Sequence, residues 1–266
     1  MAFLSFMPIY KREVRAYFYS TSTYVVLALF FLIIGMIFQD LMGLFSQMSL
    51  RAGQPSMFGQ AQQAPNATDV IIRQIFQVMI SLILFTIPLF SMRLVAEEKN
   101  RGTFELLVTC PIGDWAILMG KYLALVTVGL VTVVLSGVFP LIVWWAGRSS
   151  GSAPEWPIVI SCWIGLLLIF AAYGAFGLMA SSFTDNQITA AVITLIGLIL
   201  WNVLGAFQME SYPQLREILS EFTASQHTEN FVRGVLLLKD FAFYFLAAFL
   251  FLFIASKTLD ARRWRI

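Results

Sequence analysis

Between its charges this chain runs for lengths that only a membrane asks of a polypeptide. Residues 16–39, 74–92, 122–147, 156–184, 186–209 and 241–256 contain no Asp, Glu, Lys or Arg, giving runs of 24, 19, 26, 29, 24 and 16 residues. A bilayer core takes about 20 apolar residues per helical crossing. Five runs meet that length, and the sixth reaches it by borrowing Leu236 to Leu238 or by letting Lys257 snorkel toward the headgroups. The runs are rich in Leu, Ile, Val and Phe without period-two alternation, which fits helices and not the strands of a barrel. Composition agrees: 12% of residues are charged, roughly half the fraction of a soluble domain, and the mean hydropathy is +0.80. The expectation is an all-α integral membrane protein, one transmembrane domain over 1–266 with six spans near 21–40, 74–93, 122–146, 158–181, 187–208 and 237–257.

The cations choose an orientation. Lys11, Arg12, Arg15, Arg93, Lys99, Arg101, Lys121, Lys257, Arg262, Arg263 and Arg265 fall on one side of such a layout, and Arg51, Arg73, Arg148, Arg216, Arg233 and Lys239 on the other. The positive-inside rule then places both termini in the cytoplasm. Trp144, Trp145, Trp156 and Trp163 gather at the outer interface and Trp115 and Trp264 at the inner one, as aromatic belts do. Over residues 1–20, Phe3, Phe6, Met7, Tyr10, Val14, Tyr17 and Phe18 form a helical apolar stripe from which Lys11, Arg12 and Arg15 fall away. That is the pattern of an interfacial amphipathic helix lying on membrane lipid, either as a simple anchor or as a working part. Pro8 is tolerable only in its first turn or at a kink. The outer segments are 41–69, rich in Gln, Gly, Ser and Pro, and 209–236, where Leu215, Ile218, Leu219 and Phe222 suggest short amphipathic helices.

The densest charge cluster is the inner segment 94–115, AEEKNRGTFELLVTCPIGDW at its heart. Leu94, Val95, Phe104, Leu106, Leu107 and Ile112 make one face; Glu97, Glu98, Lys99, Arg101 and Glu105 make another. Gly102 and Pro111 interrupt it, so it reads as a helix-break-helix elbow that is either a solvated surface or a docking element for a partner.

The string Ala96-Glu97-Glu98-Lys99, followed by Arg101-Gly102-Thr103, Glu105-Leu106-Leu107, Thr109, Pro111-Ile112 and Gly120-Lys121, resembles the hallmark of type 2 ABC-transporter permeases. The likeness covers nearly the whole chain: the amphipathic N-terminal helix, six spans, Ser182–Gln187 in a short inner loop, and FVRGVLLLKD at 231–240. That last segment is most similar to permeases associated with gliding motility, with those of nitrous-oxide-reductase maturation as relatives. Where those carry Asp and Arg, this chain has Leu237 and Lys239. The resemblance implies a non-catalytic exporter subunit of the bacterial cytoplasmic membrane, paired with a second permease copy, driven by separate ATPase subunits that bind ATP and Mg, and joined in some systems by an extracytoplasmic auxiliary subunit. It further implies that 94–115 is a coupling helix, that Glu97, Glu98, Lys99, Arg101, Gly102, Thr103 and Glu105 meet the ATPase, and that Asp185, Asn186 and Gln187 form a second contact. Asp185 has the alternative role of N-cap to the fifth span. No nucleic-acid partner is expected.

Other chemistries fit less well. No GxxxxGK[ST] loop exists, Gly120-Lys121 being followed by Tyr122, so ATP must be hydrolysed elsewhere. The spans lack interior ionisable groups of the kind that couple to ion gradients. Gly147-Arg148-Ser149-Ser150-Gly151 matches GxSxG, but no strand precedes it and the one histidine, His227, lies in another outer segment and reads as a surface residue. Cys110 and Cys162 are too far apart in sequence to suggest a metal site. Gln74, Gln77, Ser81 and Asn202 are polar within spans, either bonding between helices or lining a translocation path. The competing reading of the whole chain is a membrane anchor or scaffold linking cytoplasmic and outer partners without transport.

Overall fold

The computed structural model describes residues 6–52, 66–100, 102, 113–148, 153–204 and 221–263, and every regular element among them is helical. In order these are α1 (Phe6–Tyr19), α2 (Thr21–Ala52), α3 (Arg73–Ser91), α4 (Ala96–Asn100), α5 (Asp114–Ser136), α6 (Val138–Gly147), α7 (Trp156–Phe183), α8 (Gln187–Val203), α9 (Ala224–Val232) and α10 (Leu238–Arg263). A π-helical turn, Thr68–Ile72, leads into α3.

Five stretches of the described residues are long and apolar enough to cross a membrane: Thr21–Arg51, Thr68–Asn100, Asp114–Gly147, Trp156–Phe183 and Leu238–Ala261. The chain is therefore a multi-pass membrane protein. The expected fifth span falls on α8. α8 has 17 residues, about 25 Å at 1.5 Å per residue, and residues 205–208 of that expected span lie outside the described residues. The last helix, in contrast, runs through Lys257 to Arg263.

Two boundaries differ from the spacing of charges. α2 continues past Asp40 to Ala52, since neither Asp40 nor Gly43 is enough to stop a helix already propagating. The third span is two helices meeting at Gly137, because Pro140 has no N–H to give the carbonyl one turn back. Pro88 does the same inside α3, where the chain turns toward α4.

α7 is the axis of the bundle, in contact with α3, α5, α8, α9 and α10. Its Val159, Leu166, Ile169, Phe170, Tyr173 and Leu178 are all essentially inaccessible. Without a water-driven hydrophobic force between helices in lipid, close packing through small residues holds such an axis. A methyl group at Gly174 would come within 2.8 Å of Leu125, and one at Gly165 within 2.6 Å of Phe231. The outer faces of α2 and α10 stay uncovered, with Leu29, Leu32, Met36, Phe245, Leu246 and Phe249 more than half exposed, the surface a lipid tail or another helix would cover.

Candidate functional site

α1 lies along the first turns of α5. Gly120 permits this: a side chain there would meet Ile9 at 2.9 Å. The face of α1 that packs carries Ile9 and Tyr17, both buried, with Glu13 between them. An acid on an apolar face needs a partner. That partner is Lys121, next to Gly120, with its side chain only 1% exposed and Nζ 2.9 Å from Glu13 Oε1.

The same ammonium lies 2.9 Å from Glu98 Oε2 of α4, an ion pair without hydrogen-bond alignment. Arg12 closes the ring, donating to Glu13 Oε1 at 2.9 Å and to Glu98 Oε1. Four charges from α1, α4 and α5 thus form one neutral network, in which Lys121 is buried, Glu13 and Glu98 are partly covered and Arg12 reaches the surface. Burial alone would raise the Glu13 carboxyl, but Lys121 and Arg12 outweigh it and hold it below its usual range. Burial would lower the Arg12 guanidinium, and its two carboxylate partners lift it instead.

The other side of α4 is tied to α7 and the loop after it. Ser181 Oγ accepts from the backbone N–H of Val95 at 3.2 Å and of Ala96 at 3.0 Å. A hydroxyl of a neighbouring helix thus caps the first turn of α4, the role a local Ser or Thr usually fills. Lys99, 4% exposed, donates to the carbonyl of Ser182 and stands 3.8 Å from Asp185. Asn186 Oδ1 accepts from Ile188 N at 2.9 Å, so Asn186 and not Asp185 is the N-cap of α8. Beside the network a cavity of about 580 Å³ opens between α1, the start of α2 and the end of α3, lined by Arg12, Tyr17, Ser22, Arg93, Glu97 and Lys121 among others.

Of the expected coupling residues, Glu97, Glu98 and Lys99 share α4 and lie close to Asp185, Asn186 and Gln187. Glu98 and Lys99 are engaged within the chain, which the sequence did not reveal. Gly102 has φ +68°, a left-handed conformation that closes α4. Arg101, Thr103, Glu105, Cys110, Pro111 and Ser149 lie outside the described residues. The span-polar residues separate into two groups. Asn202 bonds Tyr173 Oη at 2.8 Å, a contact between α8 and α7. Gln74, Gln77 and Ser81 instead share one exposed face of α3 with Phe85 and Leu89. His227 is not a surface residue: it is 8% exposed, because Asp240 pairs with it.

α4 is thus joined to α1 and α5 through the charged ring and to α7 and the loop after it through Ser181 and Lys99. A family model described as "ABC-2 family transporter protein" matches residues 7–256, nearly the whole chain. No curated protein matches it.

Proposed function

The chain belongs to the ABC-2 transporter family, and from that premise we propose that it is the permease subunit of an ATP-driven exporter in a bacterial cytoplasmic membrane. A separate ATPase, which the family implies, binds at α4 and the adjoining 184–187 loop, and a second permease copy completes the path. Both termini face the cytoplasm, and α1 lies in the inner headgroup layer. An extracytoplasmic auxiliary subunit and a kinship with the gliding-motility permeases rest on the likeness of 231–240 and go no further.

The observation that carries this reading is the ring of Arg12, Glu13, Glu98 and Lys121. Burying the Lys121 ammonium against two carboxylates is costly, and an apolar residue of the same size commonly gives equal or greater stability. An ionic ring with a buried lysine at its centre, where α1, α4 and α5 converge, is better accounted for by fixed geometry than by stability. Fixed geometry is what a lever between an ATPase and membrane helices needs. Extraction in a mild detergent tests the proposal: an ATPase should copurify, and its hydrolysis rate should change when the complex is returned to lipid. A chain that purifies without any ATPase supports the anchor reading instead.

A further inference from the structure

The end of the bundle away from α4 holds a second buried polar cluster, between α9 and the start of α10. His227 Nδ1 is 2.6 Å from Asp240 Oδ1, and Nε2 is 2.9 Å from the carbonyl oxygen of Glu221. Asp240 is wholly inaccessible, and its other oxygen accepts from Asn230 at 3.0 Å. Below it Tyr244 Oη donates to the Ala224 carbonyl at 2.8 Å and lies 2.7 Å from Thr228 Oγ1. The imidazole is stacked on Phe243, ring centres 4.0 Å apart.

These contacts count protons. Both ring nitrogens face acceptors, and the neutral ring has a single N–H, so satisfying the Glu221 carbonyl and the Asp240 carboxylate together takes a proton on each nitrogen. Few other charges face the pair. Glu229 and Arg233 of α9 pair with each other at the surface, Lys239 and the Glu221 side chain are exposed, and Asp69 holds Arg73 near the Arg233 carbonyl. Towards α9, α7 presents Ser161, Cys162 and Tyr173, and α8 the neutral Trp201 and Asn202.

We propose that His227 and Asp240 form a proton-held latch that keeps α9 seated on α7 and α10. With one proton lost to water, the ring keeps a single N–H, so one nitrogen turns a lone pair on either the Asp240 carboxylate or the Glu221 carbonyl and the buried pair carries a net negative charge, which hydration relieves only if α9 lifts. The seat is shallow and has a turn beside it. Phe231 rests against Gly165, and Gly234 at φ +83° joins α9 to residues 235–237, which lead into α10. Beneath α9, Cys162 Sγ lies 3.6 Å from the Phe231 carbonyl and is 1% exposed, so its access reports the latch. The inference does not depend on which ATPase drives the protein or which way the chain faces.

The test uses the full chain in lipid nanodiscs with Cys110→Ser, leaving Cys162 as the sole thiol. Its rate of modification by a small maleimide is measured from about pH 6 to about pH 9. Each rate is divided by that of the unfolded chain at the same pH, so that thiol ionisation cancels. The normalised rate should rise by about tenfold or more across that range as α9 opens locally. In His227→Gln and Asp240→Asn it should be high and flat. Tyr244→Phe, which removes hydrogen bonds but not the proton, should be faster than wild type and still respond to pH. A flat wild-type profile, or a pH response that survives in His227→Gln, overturns the latch.

Discussion

Glu13 marks what a charge pattern conceals. Read along the chain it interrupts an apolar stripe, and read in space it ties that stripe to Lys121 of α5. Its partner Lys121 lies 108 positions away and counted in the sequence only as one of eleven inner cations. Removing Lys121 leaves Arg12 alone to balance Glu13 and Glu98. Lys121→Met should lower stability by about 1–3 kcal/mol, and adding Glu13→Gln and Glu98→Gln should restore much of it; thermal unfolding of the purified chain measures both. Since the Glu13 carboxyl is held below its usual range, the folded state binds its proton less readily than the unfolded chain. Its contribution is thus present above the ordinary carboxylate pKa of about 4.3 and fades as pH falls below that value. The gap in unfolding temperature between wild type and Glu13→Gln should hold from neutral to about pH 5 and close below about pH 4; a gap that widens in acid is the contrary result. Other single residues were legible only as alternatives. Asp185 and Asn186 are equally good caps by type, and the structure chooses Asn186. His227 looked exposed because Asp240, the group that makes its burial tolerable, sits in the next element.

At the scale of elements, each of the five long apolar stretches among the described residues overlaps one charge-free run, because water and lipid sort the same residues the same way in any fold. The runs could not set helix ends, which depend on local breakers. α2 outlasts its charge-free run by a dozen residues, and Gly137 with Pro140 divides the third crossing. The elbow's first break at Gly102 was readable, since a glycine after AEEKN is a natural helix stop. What the pattern did not give is that α4 is capped by Ser181 of another helix. Gly120 is the sharpest element-level test, because it alone sets how closely α1 lies on α5. Gly120→Leu should push α1 away, costing about 1–3 kcal/mol, and should make Ile9→Cys, buried in the parent, open to a thiol reagent. Protection of that cysteine despite the leucine would mean that α1 is held elsewhere.

For the molecule as a whole, the face of α3 bearing Gln74, Gln77 and Ser81 is exposed among the described residues, and lipid cannot satisfy its glutamine amides. A second copy is the simplest cover, so Gln77→Cys in membranes should give a disulfide-linked dimer, with none from Phe245→Cys on α10. The orientation is tested by an impermeant thiol reagent, which should reach a cysteine at Ser149 from outside and one at Asn100 only after the membrane is opened. The family and the membrane class were readable from the chain alone; the charged ring was not, since it is made of contacts between residues distant in sequence. The central claim is that the ATPase takes hold at α4. In a Cys110→Ser background, a benzophenone attached at Asn100→Cys should crosslink in native membranes to a nucleotide-binding subunit, identified by mass spectrometry, while the same probe at Arg51→Cys should not. No such adduct at Asn100, or an equal one at Arg51, would contradict the account.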